Sequence, residues 1–331
     1  MVRIIDPNSP EEIAKCLRAL KGSSDYSKSY AARSLARVGK GRPDIIGALR
    51  EALSDPDLEV RVEIARALAM LEPEDKKCVD ILVDALHREG MEVREAGARA
   101  LEELGPFARE EKLPILSKHL RKAVPDLTAL LQDDSEDVRA EAARALGKLG
   151  FAEAVPALIQ HINDKDDDVQ IEIIRALFLI GKAARRAVPA LLAVLDDPNR
   201  PARETAAGTL ASIAPENKEV LQALCQALQD PDDNFRCAIA REFASMGEAA
   251  APALPYLIEA LKDEHTGVYS WIVEALTHLG PRAREAIPHL KEFLKGPSEL
   301  RRQEAASALK AIEGSDNSET GKESGKQDDV N

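Results

Sequence analysis

Apolar residues fall along this chain in short stripes that return at a nearly fixed step. In "DVRAEAARALGKLG", which runs from Asp137 to Gly150, they occupy Val138, Ala142, Ala145, Leu146 and Leu149. That spacing gathers them on one side of an α-helix and leaves acids and arginines on the other. The phrase recurs as "EVREAGARALEELG" (Glu92 to Gly105), "VQIEIIRALFLIG" (Val169 to Gly181) and "FRCAIAREFASMG" (Phe235 to Gly247). Aligned on the Val-Arg pair, the second residue of each copy is Lys28, Arg61, Arg94, Arg139, Gln170, Arg203, Arg236, Tyr269 or Arg302. Successive gaps are 33, 33, 45, 31, 33, 33, 33 and 33 residues. A step of this size held over nine copies predicts a solenoid of stacked supersecondary units.

Each unit predicts two helices. The quoted phrase is the second, and the glycine after its last leucine (Gly39, Gly105, Gly150, Gly181, Gly247, Gly280) is expected to stop it. The first helix shows in "AVPALIQHI", "AVPALLAVL", "ALPYLIEAL" and "AIPHLKEFL". Its proline (Pro125, Pro156, Pro189, Pro255, Pro288) suits a first helical turn or a kink in a longer helix. No stretch alternates with the period of a strand. The expectation is an all-α, right-handed α-α superhelix of about nine two-helix repeats over residues 1–312. An acid recurs in the turn between the helices: Asp55, Asp133, Asp164, Asp197, Asp230 and Asp263. Its expected work is to cap the next helix and to accept from an arginine of its own or the adjacent unit.

A proline-bearing first helix, an Asp turn and a Val-Arg-x-x-Ala-Ala-x-Ala-Leu-Gly second helix resemble the HEAT repeat, in the short form of the phycobilisome-lyase-like group. The resemblance covers about Ser9 to Ile312. It implies second helices lining a concave face that often binds partners, and it says little about chemistry.

Two segments break the rhythm. The 45-residue gap holds about twelve extra residues near 106–123, in "GPFAREEKLPILSKHLRKAVPDL". Leu113, Leu116 and Leu120 share a helical face there, so the addition either lengthens a first helix or forms a small knob. The other segment is 313–331, with six acids, two lysines and one apolar residue. It is expected to be a disordered acidic tail.

Composition narrows the function. Aromatics are only 3% of 331 residues, which suits thin helical layers. The formal net charge of −13 argues against a general nucleic-acid binder. The N-terminus lacks the apolar run of a signal peptide and nothing is long enough to span a membrane, so a cytoplasmic protein is expected. Cys16, Cys78, Cys225 and Cys237 are scattered and read as small buried hydrophobes. Six histidines lie in separate units, and no His-Glu dipeptide supports the di-iron site of HEAT-like hydroxylases. No phosphate loop, nucleophile elbow or zinc spacing is present. No catalytic residue, metal or cofactor is expected.

The position six after the alignment valine points away from the apolar stripe. Along the array it reads Arg33, Arg66, Arg99, Arg144, Arg175, Gly208, Arg241, Glu274 and Ser307. Stacked helices would align these guanidinium groups in a column roughly 10 Å apart. Glu63, Glu141 and Glu172 stand three residues before Arg66, Arg144 and Arg175 and can pair with them. Arg33 and Arg99 lack such an acid and are expected to be the freest. Trp271 flanks its helix beside Tyr269, Glu274 and His278, while Phe178 and Leu179 fall at outward positions. The expected function is a non-catalytic scaffold that binds a protein or acidic peptide through the second-helix face. The resemblance also admits a bilin-lyase-like enzyme or a HEAT-like nucleic-acid binder. Overall acidity and the interleaved glutamates count against the last.

Overall fold

A computed structural model describes residues 9–314, so the tail expected at 313–331 lies outside the described residues after its first two. The described residues form helices and turns and no strand. They make two compact units that divide after Ala187.

The first unit holds α1 (Pro10–Leu20), α2 (Asp25–Val38), α3 (Pro43–Ala52), α4 (Leu58–Leu71), α5 (Lys76–Ala85), α6 (Met91–Glu110), α7 (Pro114–Arg121), α8 (Val124–Ala129), α9 (Glu136–Leu149), α10 (Val155–Gln160) and α11 (Asp167–Ile180). The second holds α12 (Val188–Val194), α13 (Arg200–Ile213), α14 (Lys218–Ala227), α15 (Asp233–Met246), α16 (Leu254–Ala260), α17 (Thr266–Leu279), α18 (Ile287–Phe293) and α19 (Glu299–Glu313). Apart from α7 these are nine helix pairs, five in the first unit and four in the second. Each unit is an all-α solenoid of two-helix repeats.

The stripe read from the sequence is the packing surface. Val138, Ala142, Ala145 and Leu146 are fully buried and Leu149 nearly so. Alanines and glycines let second helices pack closely. A Cβ placed on Gly147 of α9 would sit 2.6 Å from the Cα of Ala176 in α11. Each first-helix proline occupies the second residue of its helix (Pro125, Pro156, Pro189, Pro255, Pro288), where its missing N–H costs nothing. A 3-10 turn precedes α10, α16 and α18.

Turn aspartates accept from an arginine of the adjacent repeat, as expected, but they are not themselves the helix caps. Each accepts from the backbone N–H two residues on, at 2.8–3.0 Å for Asp55, Asp133, Asp164, Asp197, Asp230 and Asp263. The residue held this way is the helix N-cap itself. At five of the turns its side chain does the capping: Asp57, Asp166, Asn199, Asp232 and His265 accept from the first-turn N–H groups. The second carboxylate contact comes from the preceding repeat. Arg139 grips Asp164 at 2.9 and 2.8 Å, Arg94 grips Asp133 at 2.7 and 2.9 Å, and Arg236 grips Asp263 at 2.7 and 3.2 Å. Lys28 reaches Asp55 at 2.8 Å, and Arg203 pairs with Asp230. The same arginines hold their own turns: Arg139 Nη1 donates to the Asp133 carbonyl at 2.9 Å and Arg236 Nη1 to that of Asp230 at 2.8 Å.

Within the units, two boundaries lack this clamp. Arg88 stands where the next aspartate would be for Arg61, which donates only to its own turn carbonyls. At the last boundary Tyr269 replaces the arginine and Gly296 the aspartate. Tyr269 is fully buried, stacks on Phe293 at 4.9 Å, lies under the Arg301 guanidinium at 4.5 Å and donates to the Arg301 carbonyl at 3.1 Å.

The insertion also departs from the expectation. It neither lengthens a first helix nor stands off as a knob. Five residues extend the second helix α6 past Gly105 to Glu110, and most of the rest form the extra helix α7, which buries Leu116 and Leu120. Gly105 is therefore no stop. Its role is close approach, since a Cβ there would lie 2.7 Å from the Lys148 carbonyl oxygen at the end of α9. Arg109, on the added turn, donates to the Leu149 carbonyl at 3.0 Å and satisfies a helix end that has no intrahelical partner. Lys112, at φ +54°, turns the chain out of α6.

Candidate functional site

In the first unit, α2, α4, α6, α9 and α11 carry Arg33, Arg66, Arg99, Arg144 and Arg175. The column exists, but each of its members is already paired. Arg66 lies 3.1 Å from Glu63 and 2.7 Å from Glu103. Arg144 lies 2.8 Å from Glu141 and 3.7 Å from Glu172, and Arg175 lies 2.7 Å from Glu172. Arg33 and Arg99, expected to be freest, are not free. Arg33 pairs with Glu63 of the next repeat; Arg99 pairs with Glu95 in its own helix and, at 2.8 Å, with Glu141 of the next repeat. The acid that the sequence lacks three residues back is supplied from across a repeat boundary, which a search within one helix does not see.

The result is a zigzag in which Glu63, Glu141 and Glu172 each serve two arginines. Burial pushes the Glu63 carboxyl up, but the Arg33 and Arg66 hydrogen bonds and charges outweigh it and hold the group below the usual carboxylate range. The arginines differ in access. Arg66 is 6% exposed and is a structural member of the zigzag, whereas the Arg175 side chain is 58% exposed.

A groove of about 560 Å³ opens on this face at α2, α4 and α6. Tyr26, Tyr30, Arg33, Glu59, Glu95 and Arg99 are among its walls. Tyr26 is 83% exposed. Burial, and then the charges of Asp57, Glu92, Glu95 and Glu63, push the Glu59 carboxyl above its usual range. This end of the face is therefore acidic despite its arginines. At the other end, Phe178 and Leu179 are exposed on α11, as expected, one turn beyond Arg175. The sequence does not single out Tyr26 and Tyr30, because the corresponding positions of the next repeat hold Glu59 and Glu63.

In the second unit Arg241 pairs with its neighbour Glu242 at 3.1 Å. Trp271 is partly buried, Tyr269 is fully buried, and Glu274 and His278 are exposed. Arg241 and Trp271 lie on successive second helices, α15 and α17.

None of the cysteines is an activated nucleophile. Burial pushes the Cys78 thiol up to about 12 and that of Cys225 to about 11, and raises Cys16 and Cys237 as well. Among the described residues no group of three or more His, Cys, Asp or Glu side chains could hold a metal, and no helix is long and apolar enough to cross a membrane.

Comparison with known proteins bears on the repeat. The profile of HEAT repeats matches residues 13–77, 124–211, 155–234, 188–254 and 221–310, and that of a HEAT-like repeat matches 91–149. No curated protein matches in sequence. Among solved structures, an engineered protein from a structural genomics consortium is 25% identical, with a TM-score of 0.53 over 91% of this chain and 89% of its own. Kap121p is 13% identical, with a TM-score of 0.56 over 92% of this chain and 38% of its own, a likeness of fold alone. The complex of CpcE and CpcF of phycocyanin lyase from Nostoc sp. PCC7120 is 22% identical over 81% of this chain and 94% of its own, at a TM-score of 0.41 that carries no argument about function. The matched repeats, the helix pairs and the turn chemistry agree: the chain belongs to the HEAT-repeat family.

Proposed function

We propose that the chain is a non-catalytic interaction scaffold that binds a protein partner through the second-helix faces of its two units. In the first unit the surface is the zigzag of Arg33, Arg66, Arg99, Arg144 and Arg175, and in the second it includes Arg241 and Trp271. The observation that carries this reading is the placing of exposed aromatic and aliphatic groups at both ends of the first unit's polar zigzag. Tyr26 stands at one end and Phe178 with Leu179 at the other. Aromatic anchors beside ordered polar groups are the usual composition of an interface hot spot. A zigzag that already pairs its own charges keeps its guanidinium forks preorganised, so a partner need not order them. The paired glutamates make an all-acidic ligand a poor fit on this face, and a segment with charges of both signs a better one. The proposed setting is the cytoplasm, in which the free thiols stay reduced.

The test is a double variant, Arg175→Glu with Phe178→Ser, in full-length protein. Glu172 keeps Arg144 nearby, so helicity and melting should stay close to wild type. Partners captured by the wild type and confirmed by calorimetry should bind at least about tenfold more weakly, the effect of truncating a hot spot. Unchanged affinity for every confirmed partner would remove this face from the proposal.

A further inference from the structure

A second surface lies on a different edge of the first unit, where the chain passes from one repeat to the next. Three such connections are successive: the end of α7, the turn at 150–154 before α10, and the turn at 181–187 after α11. Between them is a groove of about 650 Å³, walled by Arg121, Phe151, Glu153, Pro156, Ala183 and Arg186 among others. The Arg121 guanidinium lies 4.9 Å from the centre of the Phe151 ring and 3.0 Å from Glu153, and the Arg121 side chain is still 60% exposed.

The charge here runs against that of the chain. The protein carries −13 overall, yet the segments that bring Arg121 and Arg186 to the groove wall also carry Lys118 and Lys122, and Lys182 and Arg185, respectively. All six are exposed, and Glu153 is the one acid among the residues that line the groove. Lys118, Lys122, Lys182 and Arg186 make no hydrogen bond or ion pair with the described residues. This contrasts with the zigzag on the other face, where each guanidinium is neutralised by a glutamate. These four unpaired cations, near a half-exposed aromatic ring and a proline, leave the surface with little counter-charge of its own.

We propose that this groove binds an extended acidic segment of a partner protein. Carboxylates would meet Arg121, Arg186 and the flanking lysines, and an apolar side chain of the segment would lie on Phe151 and Pro156. Arginine suits this role because its fork binds a carboxylate bidentately and its plane can stay on the ring while it does so. Helices of adjacent repeats pack roughly 10 Å apart, so three connections span about 20 Å, the length of about six extended residues. A short linear segment therefore fills the groove. One of the two basic connections exists because of the insertion: α7 stands where other repeats have a short 3-10 turn, and it carries Lys118 and Arg121, with Lys122 just after it. The proposal is independent of the second-helix face, since none of its residues lies on that face.

The experiment is fluorescence anisotropy on the full chain with a labelled twelve-residue probe of repeating Glu-Glu-Asp-Leu. A repeating Lys-Lys-Lys-Leu peptide and a labelled single-stranded DNA of about 20 nucleotides serve as comparisons. Saturable binding of the acidic peptide is expected, weakening with salt. Arg121→Gln with Arg186→Gln should weaken it roughly tenfold, as loss of two exposed charge pairs implies. Phe151→Leu should weaken it less. Lys218→Gln with Lys262→Gln, an equal loss of charge elsewhere on the surface, should leave it unchanged. The proposal is overturned if the acidic peptide does not saturate, or if both double variants lose affinity equally. It is also overturned if the DNA binds more tightly than the peptide and loses that binding in the Arg121/Arg186 variant, which would make the groove a nucleic-acid surface.

Discussion

Arg139 and Asp164 meet across a repeat boundary through two parallel hydrogen bonds of 2.9 and 2.8 Å, with the Arg139 residue only 3% exposed. The pair sits where a buried charge would otherwise be costly, so its worth appears on breaking it rather than on forming it. Asp164→Ala should destabilise the protein by about 3 kcal/mol, the usual loss when one member of a buried pair is removed. Arg139→Leu combined with Asp164→Leu should cost less than the sum of the single changes. A double-mutant cycle in urea checks this, and additive losses would show that the pair is not coupled.

The clamps set a pH dependence. Burial pushes the carboxyls of Asp55, Asp133, Asp164 and Asp263 up, but the hydrogen bonds from Lys28, Arg94, Arg139 and Arg236, with the backbone N–H and nearby charge, outweigh it and leave all four lowered. A lowered carboxyl contributes stability that is complete above its unfolded-state value, near pH 4, and is lost as pH falls through the folded value. Glu59 and Glu102 are raised, chiefly by burial, and act in the opposite sense: their cost fades as pH falls. Chemical denaturation between pH 7 and pH 2 should show little change at first and then a steep fall below about pH 4. In Asp164→Asn, with Arg139 already unmatched, that fall should be shallower.

Glycines at Gly147 and Gly47 should respond oppositely to alanine. Gly147→Ala forces α9 off α11, since the new Cβ would meet Ala176 at 2.6 Å, and should cost about 1–3 kcal/mol as an overpacked site does. Gly47 lies exposed within α3 with nothing within 4 Å of a Cβ. Gly47→Ala should stabilise by up to about 1 kcal/mol through helix propensity. Thermal melts of the two variants decide it.

Leu146 tests the stripe itself. It is fully buried in α9, and Leu146→Ala should cost roughly 2–5 kcal/mol by equilibrium unfolding. A neutral result would mean that the layer between α9 and its neighbours is not packed as described.

Much of this architecture was legible in the sequence because a stacked repeat has one packing problem solved many times. Val138, Ala142, Ala145, Leu146 and Leu149 announced the buried side of α9, and the proline register announced the start of five of the nine first helices. What was not legible depends on neighbours in space. Gly105 looks like every other terminal glycine, and only the Lys148 carbonyl beside it shows that it serves close approach. Arg33 has no acid three or four residues back in its own helix, and only stacking brings Glu63 of the next repeat to it. Arg121, Phe151 and Arg186 carry no shared spacing, since each is placed by a different connection. Only stacking makes them one wall.

The double change at Tyr269 and Gly296 bears on how such an array can be recombined. There the arginine and its aspartate are both absent, and a tyrosine on a different set of contacts serves instead. What must be kept together when such an array is duplicated, shortened or recombined is thus the seam between neighbours, one residue on each side of it. A crossover within a repeat, between its Asp turn and its marker position, transmits every seam whole. A crossover between repeats separates a donor from its acceptor, so a fragment ending at Gly150 and joined to one beginning at Gly280 would carry the buried Arg139 guanidinium with no aspartate to hold. The module that keeps its contacts in this chain runs from the second helix of one repeat into the turn of the next.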